Sequence, residues 1–128
     1  MQVTRLYTNQ ANVSAFEDLT LSLERVAVET FPGQKAEQFA DLQAPSAMRV
    51  NETNAGHQYD WHNAPKRQFV VTLQGEIEVQ LRDGTSRKFG PGSLLLAEDL
   101  TGTGHATKVI SKDPWRCLYL PIDGRLPV

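Results

Sequence analysis

A chain of 128 residues with 13 Lys and Arg against 15 Asp and Glu carries a net charge of −2 and no basic cluster, which argues against nucleic acid or an anionic membrane as partner and makes a small-molecule ligand the expected one. That length suits one domain able to bury roughly two-thirds of its unfolded surface, and the single cysteine, Cys117, rules out an internal disulfide and fits a reducing compartment. The opening MQVTRLYTNQ lacks the apolar core of a signal peptide and nothing downstream approaches the length of a membrane span, so a cytoplasmic location is expected.

Residues 1–46 read as an N-terminal arm. Ser14 stands three residues before Glu17, the reciprocal arrangement that caps a helix start, which predicts a short helix near Ala15 to Leu19. Leu19, Leu21 and Leu23 alternate instead and suit a strand, so the two signals conflict. Pro32-Gly33 marks a turn, because Pro fixes φ and Gly tolerates φ > 0. The arm is expected to pack on the following domain or on a dimer partner.

From residue 47 to residue 128 the pattern is β almost without interruption. AMRVNE predicts a strand, NAGHQ a turn, and QFVVTL a strand rich in β-branched and aromatic residues. In EIEVQL, Ile77, Val79 and Leu81 alternate with Glu76, Glu78 and Gln80, as in a strand with one buried and one wet face. Asp83-Gly84 predicts a two-residue type I′ hairpin into TSRKF. GPGS turns into the apolar run LLLA, and after the polar loop EDLTGTG come two more strands, HATKVIS and RCLYLPI. Cys117 in the last of these reads as a small buried hydrophobe. Seven or eight short strands separated by turn residues imply an all-β sandwich or barrel.

The residues that could carry chemistry cluster in this half. Asp60 and His62, two apart on a strand, are expected to look together into the interior, with Trp61 facing away. Gln68 shares a face with Val70 and Thr72. Arg49 and Arg67 are candidates to fork onto a substrate carboxylate. Glu98 and Asp99 follow an apolar strand and precede two glycines, which makes Asp99 a candidate general base at the rim, with turn capping as the alternative. His57 reads as an exposed loop histidine. Ser93 and Ser111 lack a His-acid arrangement, and GTGHAT is followed by neither the Lys nor the helix of a phosphate loop.

The stretch from about Gly56 to Val109 resembles a cupin domain, a small double-sheet jelly roll. Asp60-Trp61-His62 occupies the place of that family's His-x-His pair, Gln68 the place of its Glu, and Gly75 the glycine that closes the first motif. Pro91-Gly92 opens the second motif, and His105 stands where its last ligand belongs. The resemblance implies a double-stranded β-helix, or cupin barrel, with the arm appended, and a homodimer that covers exposed sheet edges. It also implies a metal set of Asp60, His62, Gln68 and His105 for Fe, Mn, Zn or Ni, with Asp60 or Asp99 moving protons. Oxygenase, isomerase, lyase and decarboxylase chemistry are its candidate activities. Because Asp replaces the first His and Gln replaces the Glu, a metal-free binding protein, or a metal-free epimerase-like catalyst, is the alternative.

Overall fold

The computed structural model describes residues 1–128 and is almost entirely β. In chain order the strands are β1 (Gln2–Thr8), β2 (Ser14–Thr20), β3 (Glu24–Arg25), β4 (Gln38–Phe39), β5 (Arg49–Thr53) and β6 (Gln58–His62). They continue with β7 (Gln68–Gln74), β8 (Ile77–Leu81), β9 (Ser86–Phe89), β10 (Leu94–Glu98), β11 (His105–Val109) and β12 (Trp115–Pro121). A six-stranded sheet has the order β2-β1-β10-β7-β12-β5 and a four-stranded sheet the order β6-β11-β8-β9, while β3 and β4 form a separate exposed ribbon.

The eight strands β5–β12 pass back and forth between the two sheets, giving β5-β12-β7-β10 opposite β6-β11-β8-β9. That order is a jelly roll, two Greek keys facing each other, and the sheets are not closed into a continuous barrel. Its core lies between the sheets. Ile77, Val79, Leu81 and Val109 meet Val70, Leu95, Ala97 and Cys117 there, the alternate positions of each strand, as the period of 2 requires.

The run LLLA does not alternate, and the structure shows why. Leu95 and Ala97 join the core between the sheets, whereas Leu96 joins a second cluster with Val3, Leu21, Phe69 and Ile122 on the outer face of the six-stranded sheet. A strand covered on both faces has no wet side to show.

Two local expectations are corrected. The segment Ser14–Thr20 is β2, an antiparallel partner of β1 in register from Gln2↔Thr20 to Thr8↔Ser14, rather than a helix. Its cap-like residues bond elsewhere: Ser14 Oγ donates to Asp99 at 2.7 Å, and Glu17 accepts from Arg5 at 2.7 Å. Sheet pairing outweighs a one-turn local signal, because a short isolated helix is marginal in water. β1 in turn runs parallel to β10, with Thr4 opposite Leu95. The Asp83-Gly84 hairpin has a three-residue loop. Gly84 N–H donates to Leu81 at 3.1 Å, Leu81 N–H donates to Thr85 at 2.8 Å, and φ is positive at Gly84 alone. This is the type I turn closed by a glycine bulge, and the Thr85 N–H on its Oδ1 at 2.8 Å holds Asp83 below the usual carboxylate range.

No helix is long and apolar enough to cross a membrane.

Candidate functional site

A cavity of about 740 Å³ lies between the sheets, a size typical of small-molecule sites. Its wall is apolar where Val70, Ile77, Val79, Leu95 and Trp115 face one another, and its open side carries the exposed Arg49, His62 and Lys66.

His105 is the buried histidine of the cavity, 6% exposed, at the start of β11. Its Nδ1 donates to Asp99 Oδ2 at 2.6 Å, and Ser14 Oγ donates to the same oxygen at 2.7 Å. Asp99 itself is 0% exposed, and its Oδ1 is the one buried side-chain nitrogen or oxygen without a hydrogen-bond partner. His105 Nε2 therefore opens onto the cavity rather than into the core. A carboxylate behind one imidazole nitrogen fixes the tautomer and ring plane, leaving the other nitrogen as an acceptor. The loop between β10 and β11 makes this possible through Gly104, whose φ of +72° sets it so close to β6 that a Cβ there would lie 2.5 Å from the His62 carbonyl oxygen.

His62 sits opposite, paired with His105 across the sheet, with the ring centroids 4.5 Å apart and the planes tilted by 56°. Its Nδ1 donates to the backbone carbonyl of Asp60 at 2.6 Å, so its Nε2 is also left free. The pairing β6–β11 contains a bulge: His105 opposes His62, but Thr107 opposes Tyr59, which puts one extra residue on β6. A bulge resets the side-chain alternation. Tyr59 and His62 consequently line the cavity together, and Asp60 does not. The expected convergence of Asp60 with His62 is overturned: Asp60 is exposed, its Oδ1 accepting from the neighbouring Trp61 N–H at 2.8 Å, while Trp61 packs under Arg82.

The other predicted residues divide sharply. Gln68 lines the cavity and is 7% exposed. Arg49 lines it too, but Arg67 does not. Arg67 donates to Glu98 at 2.8 Å and to the Gly124 carbonyl at 2.8 Å, tying the C-terminal segment to the sheet. Glu98 is clamped between Arg5 and Arg67, so it is no free base. Asp99, expected at the rim, is buried beneath His105 and touches no ligand space. His57 stays outside, edge-on to Tyr59 with centroids 4.7 Å apart.

The donor set does not fit the metal centre that the resemblance implies. No three His, Cys, Asp or Glu side chains converge; two imidazoles and the neutral amide of Gln68 face the cavity, and Asp60 has turned away. Catalytic metal sites ordinarily combine three protein ligands with imidazole or carboxylate donors.

Sequence reasoning missed Tyr59, Lys66, Tyr119 and Ser14. Tyr119 lines the cavity, and burial pushes its hydroxyl far above the usual tyrosine value, which keeps it a neutral hydrogen-bonding group. The alternation of RCLYLPI carries a signal for it, since Tyr119 shares the face of Cys117. Ser14 has no such signal, because its partner is 85 residues away.

No family model matches the chain, and no curated protein matches it in sequence. Among solved structures, the conserved SPY1581 protein of unknown function from Streptococcus pyogenes is similar at 16% identity and a TM-score of 0.46, over 59% of this chain; the chain spans 64% of that protein's length. The Cnp3 cupin domain of Schizosaccharomyces pombe is similar at 20% identity and a TM-score of 0.47, over 95% of this chain and 83% of that one.

Proposed function

We propose that the cavity binds a small organic molecule and that His105, backed by Asp99, accepts a proton from it, making the protein a metal-free proton-transfer catalyst. The observation that carries this reading is the pairing of a cavity-facing imidazole with a fully buried carboxylate on its far nitrogen, 2.6 Å away. Such a pair lets Nε2 take a proton while the resulting imidazolium is stabilised through Nδ1–H. Asp99 acts through His105 and is a positioning residue. His62 and the neutral hydroxyl of Tyr119 sit on the same cavity and supply hydrogen bonds to the group that loses the proton and gains charge. Low dielectric strengthens these contacts in the apolar half of the cavity.

The test is deuterium exchange. Small carbonyl compounds with acidic C–H bonds, 2-oxo acids and their amides among them, would be followed by proton NMR in D₂O with protein first analysed for metals by plasma mass spectrometry. The reading expects exchange with the wild type that EDTA does not affect, loss of about 100-fold or more in His105→Gln, and an intermediate loss in Asp99→Asn with an altered pH profile. Near-stoichiometric Fe, Mn, Zn or Ni, abolished by both His62→Ala and His105→Ala, would overturn it in favour of a metal centre.

A further inference from the structure

We infer that the ligand is an organic carboxylate with an apolar body, its charged head held by Arg49 and Lys66 at the mouth. This rests on the cavity being a small-molecule site, and it deepens that reading by naming the class of molecule. The chain as a whole is acidic, with 15 Asp and Glu against 13 Lys and Arg. The cavity reverses that balance: no Asp or Glu lines it, while Arg49 and Lys66 do. A pocket lined by one sign of charge with low-dielectric walls concentrates the opposite sign.

The two cations are also free to bind. Arg5, Arg67, Arg87 and Arg116 each pair with a carboxylate of the protein, whereas the side chains of Arg49 and Lys66 form no ion pair and no hydrogen bond within the chain. Arg49 stands at the start of β5, opposite Tyr119 in the β5–β12 pairing, and its planar fork matches a carboxylate in two parallel hydrogen bonds. Lys66 lies just before β7 and Gln68, so it adds a point charge and Gln68 adds an amide donor beside it. One wall, formed by Val70, Ile77, Val79 and Leu95, offers no polar partner, which suits a hydrocarbon or aromatic body against it.

Isothermal titration would compare benzoate and hexanoate with benzamide and hexanamide, and with inorganic phosphate, at low and at physiological salt. The inference expects each acid to bind at least 10-fold more tightly than its amide, with the difference shrinking as salt rises. In the Arg49→Gln/Lys66→Gln double variant the advantage of each acid over its amide should disappear. Circular dichroism would confirm that the double variant is folded, as expected for exposed positions, and Arg67→Gln serves as a neighbouring cation outside the cavity. Amides binding as well as acids would overturn the charge assignment and leave the small-molecule site standing. Phosphate binding as tightly as hexanoate would overturn the apolar body. Failure of every acid and every amide to bind at millimolar concentration would overturn the site itself along with this inference.

Discussion

The two histidines of the cavity are opposite each other on adjacent strands and are built in opposite ways. His105 is buried and held by a carboxylate that a distant strand supports from behind; His62 is exposed and held only by a carbonyl of its own strand, two residues back. One ring is oriented by the tertiary fold and the other by local backbone. The difference teaches where rigidity lies: the buried imidazole is fixed from behind by a distant part of the chain, and the imidazole at the mouth is held only by its own strand.

Substitutions can break that contrast in graded steps. The largest effect is expected from Asp99→Ala, which leaves His105 Nδ1 and Ser14 Oγ buried without a partner; urea denaturation should show a loss of about 3 kcal/mol, against almost none for the exposed Asp60→Ala. Gly104→Ala comes next. It strains a positive φ and drives a methyl into the His62 carbonyl, so the joint between the two strands should loosen by about 2 kcal/mol in the same assay. A third effect concerns Cys117, in the core between the sheets. Burial raises the Cys117 thiol from 9.0 to about 11, so the folded state favours the protonated thiol. The stability this contributes is fully present below pH 9 and is lost as pH rises through about 11. Urea midpoints measured across that range should fall, and less steeply in Cys117→Ala, with the raised Tyr119 hydroxyl accounting for part of what remains. His62→Ala should shift stability by no more than about 0.5 kcal/mol in urea, as little as Asp60→Ala, while weakening the binding of the acids proposed above.

Much of the jelly roll was legible, because its signals are local. Ile77, Val79 and Leu81 alternate, and Gly75, Gly84 and Gly92 punctuate the strands at positive φ. His105 was expected to face the interior from its place in the resemblance, at the end of GTGHAT, and it does line the cavity. Asp60 was misplaced for a reason no window of sequence contains: the bulge that turns it outward arises from the register between β6 and β11, strands more than 40 residues apart in order. Asp99 was recognised as chemically important but assigned to the rim, since its burial depends on Ser14 arriving on β2 from the far end of the chain. Ser14 itself read as a helix cap because the spacing to Glu17 is local and the bond to Asp99 is not.

The most direct test of the central claim is the protonation pattern of the two rings, read by long-range proton–nitrogen correlation NMR on labelled protein. In its neutral form His105 should carry its proton on Nδ1, with a strongly downfield Nδ1–H resonance that Asp99→Asn shifts back, and a bare Nε2 whose nitrogen signal moves when hexanoate is added. A neutral His105 protonated on Nε2, or an Nδ1–H resonance indifferent to Asp99→Asn, would show that the buried carboxylate does not set the acceptor and would contradict the account.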